Sequence, residues 1–328
     1  MLDSFGRHAR KLRISVTDRC NMRCMYCMPQ NDKIAWYPEN DFLTYEEIVR
    51  LAGIFSTVGV EKIRITGGEP LVRPNIEKLI RALSCLQSLK QISLTTNGLL
   101  LREKLIDLKD AGLQSINISL DTLVADRFKT ITGIDGFAKV LNSIYATVDS
   151  GLNTKINVVI MRGWNDDEIE KFVDFGRTNG IVIRFIEFMP LDGSHIWDPS
   201  LVVPMQEILM RIERTTGDLK VSDSNSSDPA QIYSLENGGG IIGFIPSMSK
   251  PFCGSCDRVR ITSDGKFLTC LFEKPLYDLK PLLRNGKTDL EIRKYIEECF
   301  YKKSEGVIAI IRNNNLKPGM NLMHTIGG

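Results

Sequence analysis

No apolar run in this chain approaches the roughly 18 residues of a membrane-spanning helix, so none is expected. The N-terminus, Met1 to His8, lacks the apolar core of a secretory signal, and the basic start (Arg7, Arg10, Lys11, Arg13) is too short for a transit peptide. A cytoplasmic location is expected. An excess of one charge is missing too: 42 Lys and Arg face 40 Asp and Glu, giving +2 overall and a pI near 8.0. Bulk electrostatics therefore point to neither nucleic acid nor a membrane surface. There is no P-loop, which excludes nucleotide binding of the NTPase type, and no tandem repeat. Otherwise the composition is that of an ordinary globular chain, 43% hydrophobic and 25% charged in 328 residues, long enough for a barrel with an appended domain.

What is present is grouped cysteine. Cys20, Cys24 and Cys27 are spaced C-x3-C-x2-C. Three thiolates hold three corners of a cubane iron–sulfur cluster, where a closed cluster takes four, so one iron stays open for chemistry. A structural zinc site is the competing reading, but zinc needs a fourth ligand nearby. None follows within about fifty residues of Cys27, and the nearest upstream is His8. Cys253, Cys256 and Cys270 form a second group, C-x2-C-x13-C. It is open between zinc, with Cys299, His195 or His324 as fourth ligand, and a second site-open cluster. The recurrence of three without a local fourth favours the cluster. Such grouping points to metal ligation in a reducing compartment. Cys85 and Cys299 sit on apolar helical faces and are expected as small buried hydrophobes.

A βα alternation runs to about residue 190. Strands are expected at 12–16, 62–66, 91–96, 115–120, 155–160 and 182–188. Helices are expected between them: one opening at Thr44 with a capping box to Glu47, then 75–86, 101–111, 122–149 broken near Gly133, and 165–178. Five of the strands alternate apolar with polar residues, whereas a parallel strand covered on both sides is apolar on both. The polar faces therefore line an interior, which implies an open (βα)6 partial barrel around a polar ligand. The cysteine group, Gly67-Gly68-Glu69-Pro70, Asn97-Gly98, Asp121 and Met189-Pro190 each follow a strand, at the mouth where barrels build active sites. The glycines of the GGEP segment are expected to let a ligand approach the backbone, with Glu69 accepting from an ammonium group. Arg13, Lys62, Arg64, Lys155 and Arg184 face inward, with Arg258 and Arg260 just after the second cysteine group. Inward cations need an anionic partner. A polyphosphate fits guanidinium groups well; pairing with Glu61, Glu187 or Asp257 is the alternative. By spacing alone Thr95 and Ser119 are interior polar residues and Met189 is packing. Beyond 190 the expectations are loops at 193–199 and 222–229, short strands at 241–245, 259–262 and 266–269, and a helix at 288–303. That is too little for an independent core, so this region is expected to cover the open side of the barrel.

The string from Leu12 to Pro29, with Tyr26 before the last cysteine, resembles the radical S-adenosylmethionine (SAM) enzymes. More narrowly it resembles the GTP 3′,8-cyclases of molybdenum-cofactor biosynthesis, and the likeness recurs along nearly the whole chain to Gly327 and Gly328. The resemblance implies an α/β fold, an incomplete (βα)6 TIM-like barrel of the radical SAM type over 1–190, with a cluster-binding extension over 191–328. It implies two [4Fe-4S] clusters, on Cys20, Cys24 and Cys27 and on Cys253, Cys256 and Cys270. SAM would lie against Tyr26, Gly67, Gly68, Glu69, Ser119 and Met189. GTP would lie against Arg13, Lys62, Arg64, Thr95, Lys155, Arg184, Arg258, Val259 and Arg260. Arg258, Arg260 and the Gly327-Gly328 tail are implied in catalysis. A 5′-deoxyadenosyl radical would take hydrogen from C3′ of the ribose, and the carbon radical would add to guanine C8, giving 3′,8-cyclo-7,8-dihydro-GTP. Expected partners are GTP, an electron donor protein and a downstream pterin-forming enzyme, with the chain a monomer or homodimer. Two rivals stand beside this: a radical SAM peptide-modifying enzyme with an auxiliary cluster, and a non-catalytic zinc-stabilised binding protein.

Overall fold

Alternation along the early strands is what the molecule uses to build a curved sheet with one apolar and one polar face. The structure is a computed structural model describing residues 1–28, 34–191, 195–222, 230–235, 240–274, 276–313 and 321–327. Residues 192–194, 223–229 and Gly328, on which part of the loop and tail expectations fall, lie outside the described residues. The order is β1 (Lys11–Ser15), α1 (Tyr45–Thr57), β2 (Lys62–Thr66), α2 (Ile76–Ser84), β3 (Gln91–Thr96), α3 (Leu101–Asp110), β4 (Ser115–Ser119), α4 (Ala125–Thr132), α5 (Phe137–Asp149), β5 (Asn153–Ile160), α6 (Ile169–Asn179) and β6 (Val182–Glu187). There follow α7 (Met205–Thr216), β7 (Leu219–Val221), β8 (Gln231–Leu235), β9 (Ile241–Ile245), β10 (Arg258–Ile261), β11 (Lys266–Leu268), β12 (Tyr277–Asp278), α8 (Lys280–Arg284), α9 (Asp289–Tyr301), α10 (Val307–Arg312) and α11 (Met323–Ile326).

Strands β1 to β6 pair in parallel in chain order. β10 joins β1 and β9 joins β6, both parallel, and short antiparallel strands finish each edge. The order ends at β12 on one side and β7 on the other, so the barrel is open. The outward face carries Leu12, Ile14, Ile63, Ile65, Ile92, Leu94, Ile116, Ile118, Ile156 and Val158, all buried. They pack in one core with Ile48, Leu51 and Phe55 of α1 and Leu79, Ile80 and Leu83 of α2. Each such side chain contributes roughly 1.5–3 kcal/mol. α1 starts at the expected capping box, Thr44 accepting from the Glu47 amide and Glu47 from the Thr44 amide.

Two expectations differ from the structure. The region past 190 is richer than expected: α7 buries Met205, Ile208, Leu209 and Ile212 at helical spacing, and the strands there continue the barrel sheet at both edges. Cys85 is exposed. It caps α2 two residues past Leu83, which turns it away from the Ile76, Leu79, Ile80 and Leu83 stripe. Cys299 is buried as expected. Among the described residues no helix is long and apolar enough to cross a membrane.

Candidate active site

The strand register decides what the polar face does. Arg260, Arg13 and Arg64 stand directly opposite one another on β10, β1 and β2; one step earlier stand Arg258, Lys11 and Lys62. Like charges opposite each other on one face are destabilising. Burial, then Arg260, Arg64, Arg258 and Arg184, push the Arg13 guanidinium well below its ordinary range. Burial and Arg258 bring Arg260 down to about 9, against the pull of Cys270 and Cys256. Arginine stays charged in proteins, so both shifts express first the cost of burying the charge and then its crowding by like charges. Of three nearby carboxylates, only Asp257 pairs with a cation of these rows, Lys11. Glu61 pairs with Lys90 at 2.6 Å, Asp257 pairs with Lys11 at 3.1 Å, and Glu187 accepts from the Met205, Met248 and Ser249 amides.

These cations line a cavity of about 600 Å³ that also takes in Lys155, Arg184, Thr95, Ser119, Tyr26, Gly67, Gly68, Glu69, Met189 and all six grouped cysteines. Met189 also packs beside Leu191, Phe272 and Val307. Val259 is the exception. Its side chain alternates away from Arg258 and Arg260, pairs in register with Leu12 and is buried in the helix-facing core, so only its backbone can serve a ligand. On the polar face Thr95 Oγ1, both amide atoms of Asn117 and Asn157 Oδ1 are buried with no partner among the described residues, where buried polar groups are normally satisfied.

The cysteine groups lie toward opposite ends of the strands. Cys20 to Cys27 follow the C-terminal end of β1. Cys256 precedes β10, which runs parallel to β1, and Cys270 follows β11, antiparallel to β10. The five residues of β1 span about 16 Å. The first group is fixed by backbone contacts: Arg23 and Met25 amides donate to the Thr132 and Ile131 carbonyls at the end of α4, and Cys27 and Met28 amides donate to the Cys24 carbonyl. Gly67 and Gly68 line the cavity and also meet the chain itself closely. A Cβ on Gly68 would lie 2.4 Å from the Arg19 carbonyl, and one on Gly67 2.7 Å from the Thr17 carbonyl. The chain's own loop leading to Cys20, zipped on by Gly68 and Glu69 amides, is what approaches these glycines. Glu69 is buried and accepts from the Leu71 and Asn97 amides and Thr96 Oγ1 at 2.7–3.0 Å. Burial nevertheless pushes it up to about 7. Tyr26 donates to Asp121 at 2.5 Å and meets Phe188 edge-on.

Burial, with Glu69 next, pushes the Cys20 thiol up to about 11; burial, then Cys27, pushes Cys24 up well beyond its usual range. Cys270 is pushed up to about 11 by burial. At Cys256 burial acts upward, but Arg258 and Lys303 together outweigh it and bring the thiol down to about 6. Three half-buried thiols that disfavour bare thiolate fit a ligand bringing compensating positive charge. Among the described residues no three His, Cys, Asp or Glu converge as ligands of a single ion. The candidate fourth ligands do not gather at the second group. His195 is exposed, Cys299 sits in the core beside Tyr295, and His324 lies against the backbone of Cys27 and the ring of Trp36. The tail reaches the barrel: Arg260 donates to the Gly327 carbonyl, and a Cβ on Gly327 would strike Thr66 Oγ1.

Sequence reasoning missed Lys11 and Lys303 as site residues, gave Asn97 only a place at the mouth, and set His324 at the second cysteine group rather than beside the first. Lys11 was legible, two residues before Arg13 and of the same parity. Asn97 Nδ2 reaches Cys20 Sγ at 3.8 Å, and its place after β3 was the only signal. Lys303 and His324 become neighbours of the cysteines only through tertiary folding.

Comparison with known proteins agrees with this geometry. Residues 14–176 match the radical SAM superfamily model and residues 181–308 the model named Molybdenum Cofactor Synthesis C. The mitochondrial GTP 3′,8-cyclase of Arabidopsis thaliana is 42% identical over 319 residues, covering 96% of this chain and 81% of that protein. The GTP 3′,8-cyclase of Thermodesulfovibrio yellowstonii is 41% identical, and the match covers 100% of both chains. In fold, the crystal structure of Streptococcus suis SuiB superposes with a TM-score of 0.62 at 16% identity, covering 90% of this chain and 66% of that one. Radical SAM membership carries a [4Fe-4S] cluster and SAM with it. With the two cysteine groups, the cationic barrel wall and these matches together, the chain belongs to the radical SAM superfamily and, within it, to the GTP 3′,8-cyclase family.

Proposed function

We infer that this chain is a GTP 3′,8-cyclase, the enzyme of the first step of molybdenum-cofactor biosynthesis. The observation that carries the substrate is the double row of six cations on β10, β1 and β2, facing a cavity with a cysteine group toward each end. A triphosphate would bring negative charge to a wall whose register sets like charges side by side, and guanidinium forks match phosphate oxygens in two-point contacts. Arg13, Lys62, Arg64, Lys155 and Arg184 would hold the phosphates, while Thr95 and Arg258 and Arg260 orient the nucleoside. Cys20, Cys24 and Cys27 would hold one [4Fe-4S] cluster, and Cys253, Cys256 and Cys270 a second, against which the base would rest. Bound, these groups supply the one-electron chemistry that cleaves SAM and starts ribose-to-base cyclisation.

The chain's own part is placement. An ionised carboxylate offers about four acceptor sites, and three donors already meet Glu69, leaving room for the SAM ammonium. Tyr26, fixed by Asp121 and Phe188, offers a flat wall for the adenine, beside Ser119 and Met189. Arg260, through the Gly327 carbonyl, draws the tail over the cavity, which limits water around a reactive intermediate. In this division residues 1–190 hold SAM and residues 191–328 the base-side cluster. An electron donor protein and a pterin-forming enzyme that takes the product would act on either side of the step.

The test is anaerobic reconstitution followed by incubation with SAM, dithionite and GTP. The expected result is 5′-deoxyadenosine together with cyclised GTP, and little of either with guanosine alone. Equal 5′-deoxyadenosine formation with and without GTP would remove the substrate assignment.

A further inference from the structure

Lys303, just past the end of α9, is 2% exposed, although lysine is almost never buried without a partner. No carboxylate pairs with it among the described residues. Its ammonium has three donors, and they find three acceptors: the Cys256 carbonyl at 3.2 Å, the Arg258 carbonyl at 3.0 Å and Cys256 Sγ at 3.6 Å. The backbone around it is pinned to the same site. Arg7 Nη1 donates to the Cys253 carbonyl at 3.0 Å, and Arg7 Nη2 donates to the Ser304 carbonyl at 2.5 Å. Three residues on, Gly306 (φ +99°) approaches so closely that a Cβ would lie 2.8 Å from Cys253 Sγ. The turn 303–306 is therefore shaped around the second cysteine group. At the first group, Cys20 Sγ takes instead a neutral amide from Asn97 and the Met22 backbone.

We propose that Lys303 is a positioning residue that tunes the second iron–sulfur site, its buried charge against Cys256 Sγ favouring the one-electron-reduced cluster. This rests on Cys253, Cys256 and Cys270 holding a cluster. Reduction adds one negative charge to the cluster, and hydrogen bonds and net charge at the sulfurs set the potential. A fixed cation at hydrogen-bond distance stabilises the reduced form more than the oxidised one.

The experiment uses the full chain with Cys20, Cys24 and Cys27 changed to Ser, reconstituted anaerobically so that only the second site is loaded. Iron and sulfide are counted first, and a dithionite titration followed by EPR then gives the potential. Lys303→Met, close in length and without charge, should keep its iron and make reduction about tenfold less favourable, about 59 mV more negative for one electron. Lys303→Gln should fall between, and Lys303→Arg should restore the wild-type potential. An unchanged potential in an iron-loaded Lys303→Met chain overturns the proposal. Loss of iron from both the Met and Gln forms also overturns it, in favour of a purely structural role. Absence of iron from the parent chain, with Lys303 intact, contradicts the second cluster itself and is thereby told apart from failure of the tuning.

Discussion

Glu69 carries a carboxyl that burial raises to about 7, although three hydrogen bonds pull it the other way. Because its folded value lies above the ordinary 4.5, its stabilising contribution is complete below about pH 4.5 and is lost as pH rises through 7. At about 1.4 kcal/mol per tenfold change in proton affinity, that is on the order of 3 kcal/mol. Denaturant unfolding of the SAM-free apoprotein should therefore show stability falling across this window, and Glu69→Gln should flatten the slope whatever its offset; an unchanged slope would contradict the assignment. Arg13 makes the complementary case. Crowded by four arginines, it should be a liability without ligand and an asset with it. Arg13→Met should raise the melting temperature of the apoprotein while weakening GTP binding about 10–100-fold, the scale of a lost charged hydrogen bond. A melting temperature that falls together with unaltered affinity would contradict both halves. At this scale the sequence was highly informative, since strand parity alone identified the inward cations. It could not reveal Lys303 or the place of His324, whose neighbours come from distant parts of the chain, nor the outward turn of Val259, where the motif's backbone and side chain separate.

Elements explain why the first cysteine group sits where it does. The GGEP turn after β2 locks onto Thr17 to Arg19 after β1, and that contact aims the Cys20 loop into the cavity. Gly68→Ala forces a Cβ into the Arg19 carbonyl, so the variant should lose iron from the first site while the second stays loaded. Thr44→Ala is the control: it removes the α1 cap, costs about 1 kcal/mol of stability and should leave the iron content intact. Iron counting separates the two, and equal iron in Gly68→Ala and wild type would contradict the role of the turn. The βα order of the first six strands was legible because hydrophobic period and capping agree along them. α7 had a clear Met205, Ile208, Leu209 and Ile212 face and was passed over amid loops. The pairing of β9 and β10 with opposite edges of the early sheet depends on contacts across more than fifty residues, which no local pattern encodes.

As a whole, the molecule is an open barrel whose interior is divided by height: thiols above, cations along β10, β1 and β2 between, thiols below, and a tail that Arg260 holds in place. This division predicts a separation of labour between its ends. The measurement that tests it most directly is product analysis of Cys24→Ala and Cys256→Ala after anaerobic reconstitution with SAM, dithionite and GTP. Cys24→Ala should form no 5′-deoxyadenosine at all. Cys256→Ala should still cleave some SAM yet yield no cyclised nucleotide. Full cyclisation by either variant would contradict the account.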